Sequence, residues 1–157
     1  MLNIKIGEKA PEFCLPNKDG NEVCIKELKG KWIVLYFYPK DNTKGCTIEA
    51  IDFTAKLDDF SKLNTLVLGI SPDSIKSHQN FADKHELEVE LLSDENHTIL
   101  EKYGVWQEKS MYGKSYFGVV RSTILINPEG KIAEIWEKVR VADHVENVKN
   151  RLIELQK

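Results

Sequence analysis

The sequence predicts an α/β fold in which helices cover both faces of a central mixed β-sheet, and three observations support this prediction. In the first half of the chain, short apolar runs alternate with segments of helical periodicity, a pattern typical of strands joined by helices. Later, two apolar runs flank Pro128-Glu129-Gly130, a tight turn that indicates an antiparallel hairpin. The last segment predicts a helix that packs on the sheet, because its apolar residues recur every three or four positions: Val145, Val148, Leu152 and Leu155.

The length and composition fit one globular domain over residues 1–157. Hydrophobic residues make up 41% of the chain and charged residues 30%, and the apolar runs are far too short to cross a bilayer. A net charge of −3 with scattered basic residues argues against binding to nucleic acid or to an anionic membrane. The N-terminal segment MLNIKIGEKAP lacks the long apolar core of a signal peptide, so we expect a cytoplasmic protein.

The first predicted element is an N-terminal β-hairpin. Residues 12–15 and 22–25 have strand character, and the loop between them contains Asp19-Gly20, a turn signal. Cys14 and Cys24 lie on the two arms, roughly opposite each other. A bridge between them is geometrically feasible, but strand cysteines are usually buried and unreactive, so we expect both to stay reduced.

A buried strand and an amphipathic helix follow. Residues 31–38 carry a run of β-branched and aromatic side chains that predicts a strand buried on both faces, and Pro39 ends this run. A helix is predicted from there to about residue 62, with an apolar stripe that consists of Ile48, Ile51, Ala55 and Leu63. Thr43 is the expected N-cap of this helix, which places Cys46 in its first turn.

The remaining elements alternate in the same way. We expect strands at residues 65–70, 91–93, 122–127 and 131–137, and helices that end near residues 85 and 103, with the second one capped by Asp94.

Cys46 is the candidate nucleophile. The N–H groups in the first turn of a helix have no intrahelical partner, and the helix dipole adds partial positive charge, so both favour a thiolate. A free cysteine is more often a small buried hydrophobic residue, but a polar loop that contains Gly45 should leave Cys46 partly reachable. Three cysteines without a C-x-x-C pair favour reactive-thiol chemistry over a disulfide scaffold, a structural zinc site or a thioredoxin-type dithiol.

The segment PKDNTKGCTIE, residues 39–49, resembles the P-x-x-x-T-x-x-C motif of the peroxiredoxins, which are thiol-dependent peroxidases. Its T-x-G-C-T-x-E part, together with MYGKSYFGVVRSTILINPEGK at residues 111–131, is similar to the bacterioferritin comigratory protein or peroxiredoxin Q branch of that family. The resemblance extends from Ala10 to the segment around His144. It implies a thioredoxin-like, three-layer fold with Cys46 at the start of a helix beside the central sheet.

The resemblance also implies roles for four further residues. Pro39 shields the thiolate from water, and Thr43 holds the incoming peroxide through its hydroxyl. Arg121 stabilises the Cys46 thiolate and the negative charge that builds on the leaving oxygen. Glu49 orients Arg121. Without the resemblance, Pro39 is only a strand terminator, Thr43 a helix cap and Arg121 a solvated charge.

The chain departs from the family pattern at position 51. Many relatives in this branch carry a resolving cysteine five residues after the peroxidatic one, and this chain has Ile51 there. Five residues correspond to about 140° around a helix, so such a resolver reaches only when the helix unwinds. We expect either a single-cysteine mechanism or resolution by Cys14 or Cys24.

The resemblance therefore implies reduction of hydrogen peroxide or organic hydroperoxides through a Cys46 sulfenic acid. The expected reductant is thioredoxin, glutaredoxin or a small thiol, and the expected assembly is a monomer or weak homodimer. The alternative is a non-enzymatic peroxide sensor or holdase that operates through Cys46 oxidation. We expect no metal or other cofactor and treat as surface residues the four histidines, which show no metal-ligand spacing: His78, His85, His97 and His144.

Overall fold

The computed structural model describes residues 2–157. The strands are β1 (Cys14–Pro16), β2 (Glu22–Cys24), β3 (Trp32–Phe37), β4 (Thr65–Ser71), β5 (Glu90–Ser93), β6 (Trp106–Met111), β7 (Lys114–Val119), β8 (Ser122–Ile126) and β9 (Ile132–Trp136). The α-helices are α1 (Lys44–Ala55), α2 (Leu57–Lys62), α3 (Ile75–His85), α4 (Thr98–Tyr103) and α5 (His144–Leu155), and a 3₁₀ turn spans Ile25–Leu28. None of the helices within residues 2–157 is long and apolar enough to span a membrane.

The centre of the fold is a five-stranded mixed sheet in the order β5-β4-β3-β8-β9. Strands β3, β4 and β5 are parallel, and β8 and β9 are antiparallel to their neighbours. Both faces are covered, because alternate residues of β3 enter two separate hydrophobic clusters. One cluster includes residues of α1, α2, α3 and α5, and the other includes residues of α4 and the N-terminal hairpin. The predicted three-layer fold with a central mixed sheet is confirmed.

The N-terminal hairpin is also confirmed, but its cysteines are not free. Cys14 and Cys24 face each other in the β1–β2 register and are joined by a disulfide, so the expectation that both stay reduced is wrong for this structure. In the next residue pair of the hairpin, the N–H of Ile25 donates to the carbonyl oxygen of Phe13. Hydrogen-bonded and non-hydrogen-bonded pairs alternate along antiparallel strands, so Cys14 and Cys24 form a non-hydrogen-bonded pair. Backbones approach most closely at such pairs, and the two Cα atoms are 4.0 Å apart. Cys14 is exposed rather than buried.

The helix that was predicted to reach residue 62 is interrupted. It ends at Ala55, and α2 begins after Lys56. Its predicted buried face is also wrong, because Ile48, Ile51 and Ala55 are exposed. The buried face consists of Cys46, Glu49, Ala50 and Phe53. Because Glu49 in the middle of this face is charged, the face lacks the apolar periodicity that predicts the buried side of a helix.

Strands β6 and β7 were not predicted from the sequence. They form a separate antiparallel hairpin whose turn residues, Tyr112 and Gly113, have positive φ values of 53° and 77°. Most of its side chains are exposed or half-buried on both faces, so the apolar and polar alternation that marks a half-buried strand is missing.

A test of the packing under Cys46 concerns Gly69 on β4. A Cβ at this position would lie 2.6 Å from the Tyr36 ring, which is itself held against Phe53 with ring centroids 4.5 Å apart. We expect Gly69→Ala to lower the free energy of unfolding by about 1–3 kcal/mol in urea denaturation, because Tyr36 has no space to move. Gly118→Ala is the control, since its nearest contact would be an ordinary 3.4 Å. Equal losses in both variants would show that Tyr36 is not confined.

Candidate active site

Cys46 is the third residue of α1, directly after the loop that follows β3. Thr43 occupies the N-cap position as predicted, but its side chain makes no cap hydrogen bond. Its hydroxyl instead donates to Lys40 O at 2.8 Å, and the residue is exposed. The hydroxyl oxygen of Thr43 is therefore not committed to the α1 backbone.

Arg121 connects the site across the sheet. It lies just before β8, and the antiparallel pairing of β8 with β3 brings it to the start of α1. Its Nη2 donates to Cys46 Sγ at 3.3 Å, and its Nη1 donates to Glu49 Oε1 at 2.7 Å. A Cβ at Gly45 would lie 3.1 Å from Nη2, so the glycine leaves room for the guanidinium. Three of the five predicted site residues are thus in direct contact.

The sulfur is enclosed. Cys46 is only 1% exposed, so the expectation of a partly reachable cysteine is wrong for this folded conformation. Its side chain belongs to the same hydrophobic cluster as Phe53, and Pro39 is half-buried at the end of β3. Water has little access to the sulfur, so the neighbouring charges act on it with little screening.

Glu49 is fully buried beside Arg121. Burial raises the pKa of Glu49 to about 7, and the positive charge of Arg121 opposes this rise. Glu49 Oε1 is paired with Arg121, whereas Oε2 has no hydrogen-bond partner among the described residues. The hydroxyl of Tyr36 is likewise without a partner there, and burial followed by the charge of Glu49 raises the pKa of that hydroxyl well above its usual value. The site therefore contains a cation and a carboxyl in close contact.

Two basic side chains near the site, His144 and Lys109, have lowered pKa values. Burial, and to a smaller extent the charge of Arg121, lowers the pKa of His144 to about 4 and also lowers the pKa of Lys109. His144 is neutral at neutral pH and lies 2.8 Å from the hydroxyl of Thr123. His78 and His144 are both buried, so the expectation that all four histidines are surface residues is wrong.

Sequence reasoning also missed Asp41, which fixes the loop before α1. Its Oδ1 accepts from the Tyr38 hydroxyl at 2.7 Å, and its Oδ2 accepts from Ser77 at 2.8 Å and lies 2.7 Å from His78 Nδ1. His78 Nε2 lies 3.0 Å from the carbonyl oxygen of Leu92, which can only accept, so this nitrogen carries a proton. Asp41 and His78 are thus in direct hydrogen-bonding contact in the interior.

This buried network ties the active-site loop to α3 and β5. The backbone N–H of Asp41 adds a bond to Asp73 Oδ2 at 2.8 Å. The only signal in the sequence was the presence of Asp41 within the quoted motif, and nothing local indicated its partner 37 positions away. Asp41, Asp73 and His78 bring possible metal ligands within 4.8 Å of one another, but these atoms already hydrogen-bond within the network.

Comparisons with known proteins agree with this arrangement. Residues 6–135 match the AhpC/TSA family. The chain is 48% identical to a putative peroxiredoxin bcp of Coxiella burnetii, covering 96% of this chain and 100% of the relative. It is 46% identical to peroxiredoxin Bcp of Bacillus subtilis, with 92% of each covered. A solved structure of Xanthomonas campestris bacterioferritin comigratory protein superposes with a TM-score of 0.90 at 38% identity, covering 100% of both chains.

The buried carboxyl of Glu49 makes a testable contribution to stability. Because its pKa is raised from 4.5 to about 7 on folding, its contribution is fully present below the unfolded value and is lost as pH rises toward 7. From about pH 5 to about pH 8, we expect the free energy of unfolding of the wild type to fall by about 2 kcal/mol relative to Glu49→Gln. Urea denaturation across this range measures it. Glu95→Gln, at an exposed site, should run parallel to the wild type. A parallel profile for Glu49→Gln would contradict the raised pKa.

Proposed function

The chain belongs to the AhpC/TSA family, in the peroxiredoxin Q branch, and is a thiol peroxidase; on this basis we propose that Cys46 is the peroxidatic residue and forms a sulfenic acid intermediate. The observation that carries the proposal is the hydrogen bond from Arg121 to Cys46 Sγ at 3.3 Å. Cys14 lies on a strand, and Cys24, which precedes the 3₁₀ turn, has Glu22 and not an arginine beside its sulfur.

In the proposed reaction, the Cys46 thiolate attacks one oxygen of a hydroperoxide. The O–O bond breaks, the S–O bond forms, and the second oxygen leaves with its electron pair and takes a proton to become water or an alcohol. The helix start and the Arg121 guanidinium favour the thiolate. The same guanidinium stabilises the negative charge that builds on the leaving oxygen, where a fixed donor has its largest effect.

Glu49 acts as a positioning residue in this proposal. Its bond to Nη1 at 2.7 Å leaves Nη2 directed at the sulfur. Thr43 is proposed to hold the peroxide, because its exposed hydroxyl lies at the entrance of α1 and its oxygen is free to accept. Pro39 is proposed to shield the sulfur, in line with its half-buried position in the same loop.

We propose a single-cysteine mechanism in which the sulfenic acid is reduced by an external thiol. Position 51 holds an exposed isoleucine, and the sulfurs of Cys14 and Cys24 are bonded to each other. Neither hairpin sulfur in this state can resolve Cys46 without first being reduced. The attacking thiol of the reductant forms a mixed disulfide with Cys46 and releases water, and a second thiol then frees Cys46.

The substrate and partners are part of the same proposal. A relative from Xanthomonas campestris has been described through its alkyl peroxide reduction activity, and we propose that this chain likewise accepts hydrogen peroxide and organic hydroperoxides. Thioredoxin, glutaredoxin or a small thiol is the proposed reductant, and a monomer or weak homodimer the proposed assembly. The single domain over residues 1–157 and the cytoplasmic location stay predictions.

Cys46→Ser is expected to abolish peroxide consumption, because serine has no thiolate to attack the O–O bond. Peroxide loss should be followed with thioredoxin, glutaredoxin and glutathione systems in parallel, which also distinguishes turnover from a non-enzymatic sensor. Wild-type protein treated with one equivalent of peroxide and a sulfenic-acid trap should carry the adduct on Cys46 in peptide mass mapping. Cys14→Ser is the matched control and should keep the first oxidation step. Prompt formation of a disulfide from Cys46 to Cys14 or Cys24 would contradict the single-cysteine mechanism.

Arg121→Lys is expected to slow the reaction with peroxide although the charge is kept. An ammonium cannot donate at once to Cys46 and Glu49 with the fixed geometry of the guanidinium fork. We expect the second-order rate constant to fall roughly tenfold to a hundredfold in stopped-flow measurements. Arg140→Lys is the control, because Arg140 is exposed and should leave the rate unchanged. A wild-type rate in Arg121→Lys would remove Arg121 from the mechanism.

A further inference from the structure

The hairpin cysteines are not needed for the single-cysteine reaction proposed at Cys46. They are ten positions apart in sequence, yet the β1–β2 pairing brings their Cα atoms within 4.0 Å. The two sulfurs differ in access, since Cys14 is exposed and Cys24 is 8% exposed. Cys14 therefore lies at the surface, where a thiol in solution can approach the bridge.

This bridge and Cys46 are on opposite faces of the central sheet. Phe13 and Leu15, on either side of Cys14, pack into the cluster that also contains residues of α4. Cys46 packs into the other cluster, with α1 and α5. A resolving thiol must reach bonding distance of the oxidised sulfur, and the sheet separates these two positions. The hairpin pair is thus separate from the peroxidase site.

A groove of about 410 Å³ runs beside the bridge. One wall is formed by Cys14, Leu15 and Pro16, and the other by the segment between β5 and α4. The hydroxyl of Ser93 in this wall is buried and has no hydrogen-bond partner among the described residues. The groove offers space for a thiol-bearing group next to Cys14.

We propose that Cys14 and Cys24 form a second redox site, a dithiol–disulfide couple that exchanges electrons with soluble dithiols independently of Cys46. A thiolate of the dithiol attacks Cys14 Sγ, the bond between Cys14 and Cys24 breaks, and Cys24 leaves as a thiolate that takes a proton from water. The second thiolate of the dithiol then attacks the dithiol sulfur that is bonded to Cys14. Cys14 leaves as a thiolate and is protonated in turn. Two electrons pass from the dithiol, which becomes a disulfide, and the reverse exchange restores the bridge.

Glu22 gives the two sulfurs different roles. Its Oε1 lies 3.6 Å from Cys24 Sγ, and this carboxylate disfavours a negative charge on Cys24. Cys14 is the sulfur that attacks and is attacked because it is exposed, and the carboxylate beside Cys24 slows the departure of Cys24 as a thiolate. The charge arrangement is the opposite of that at Cys46, where an arginine faces the sulfur. The two sites should consequently react with different partners.

The test uses the full-length Cys46→Ser variant, equilibrated without denaturant in buffers with varied ratios of reduced to oxidised dithiothreitol. After acid quench and alkylation, mass spectrometry should show two thiols at the reducing end and none at the oxidising end, joined by one two-electron transition. Cys46→Ser/Cys14→Ser should keep one alkylated thiol in all buffers. Peptide mapping of the unsubstituted chain gives the same readout if Cys46→Ser fails to fold.

Three outcomes would overturn the proposal. The bridge could resist reduction until the protein is unfolded in urea, which would make it a purely structural crosslink. Two free thiols could persist in every buffer, which would mean that no couple forms. A disulfide that links two chains instead would show that Cys14 and Cys24 do not pair with each other. The peroxidatic role proposed for Cys46 rests on its contact with Arg121, so it stands or fails separately from the hairpin couple.

Discussion

The hydrogen bonds of one guanidinium, from Arg121 to Cys46 and to Glu49, are the interaction on which the rest of the site depends. A buried thiolate, as proposed for Cys46, needs a nearby positive charge, and the half-buried Arg121 needs an acceptor for its other nitrogens. Glu49 meets the second need and so allows the first. Charge pairing within the site explains how a carboxyl comes to lie at the centre of the buried face of α1.

This arrangement is costly for the fold. Burial of the Glu49 carboxyl raises its pKa to about 7, and its second oxygen has no partner among the described residues. Removing charges from water costs free energy that the contact with Arg121 only partly recovers. Such preorganised charge is useful when a transition state develops new charge at the same place. Stability is thus given up at the site where the proposed chemistry requires a fixed cation.

The surrounding structure keeps this cation and the sulfur in register. The sheet positions Arg121 through the pairing of β8 with β3, and the Asp41–His78 contact holds the loop that leads into α1. The other face of the sheet carries the hairpin with its exposed cysteine, in an environment of opposite charge. The cysteines of this chain are therefore divided between two faces with different electrostatics.

The sequence by itself determined the elements that depend on local patterns. The apolar run before Pro39, the turn at Asp19-Gly20 and the stripe of α5 each report on neighbours only a few positions away, and the structure confirms them. The motif around Cys46 likewise identified the family. Long-range contacts decided the rest: Glu49 is buried because of Arg121, 72 positions away, and His78 because of Asp41. A buried charge is stable only with its partner, and the partner is found only when the chain has folded.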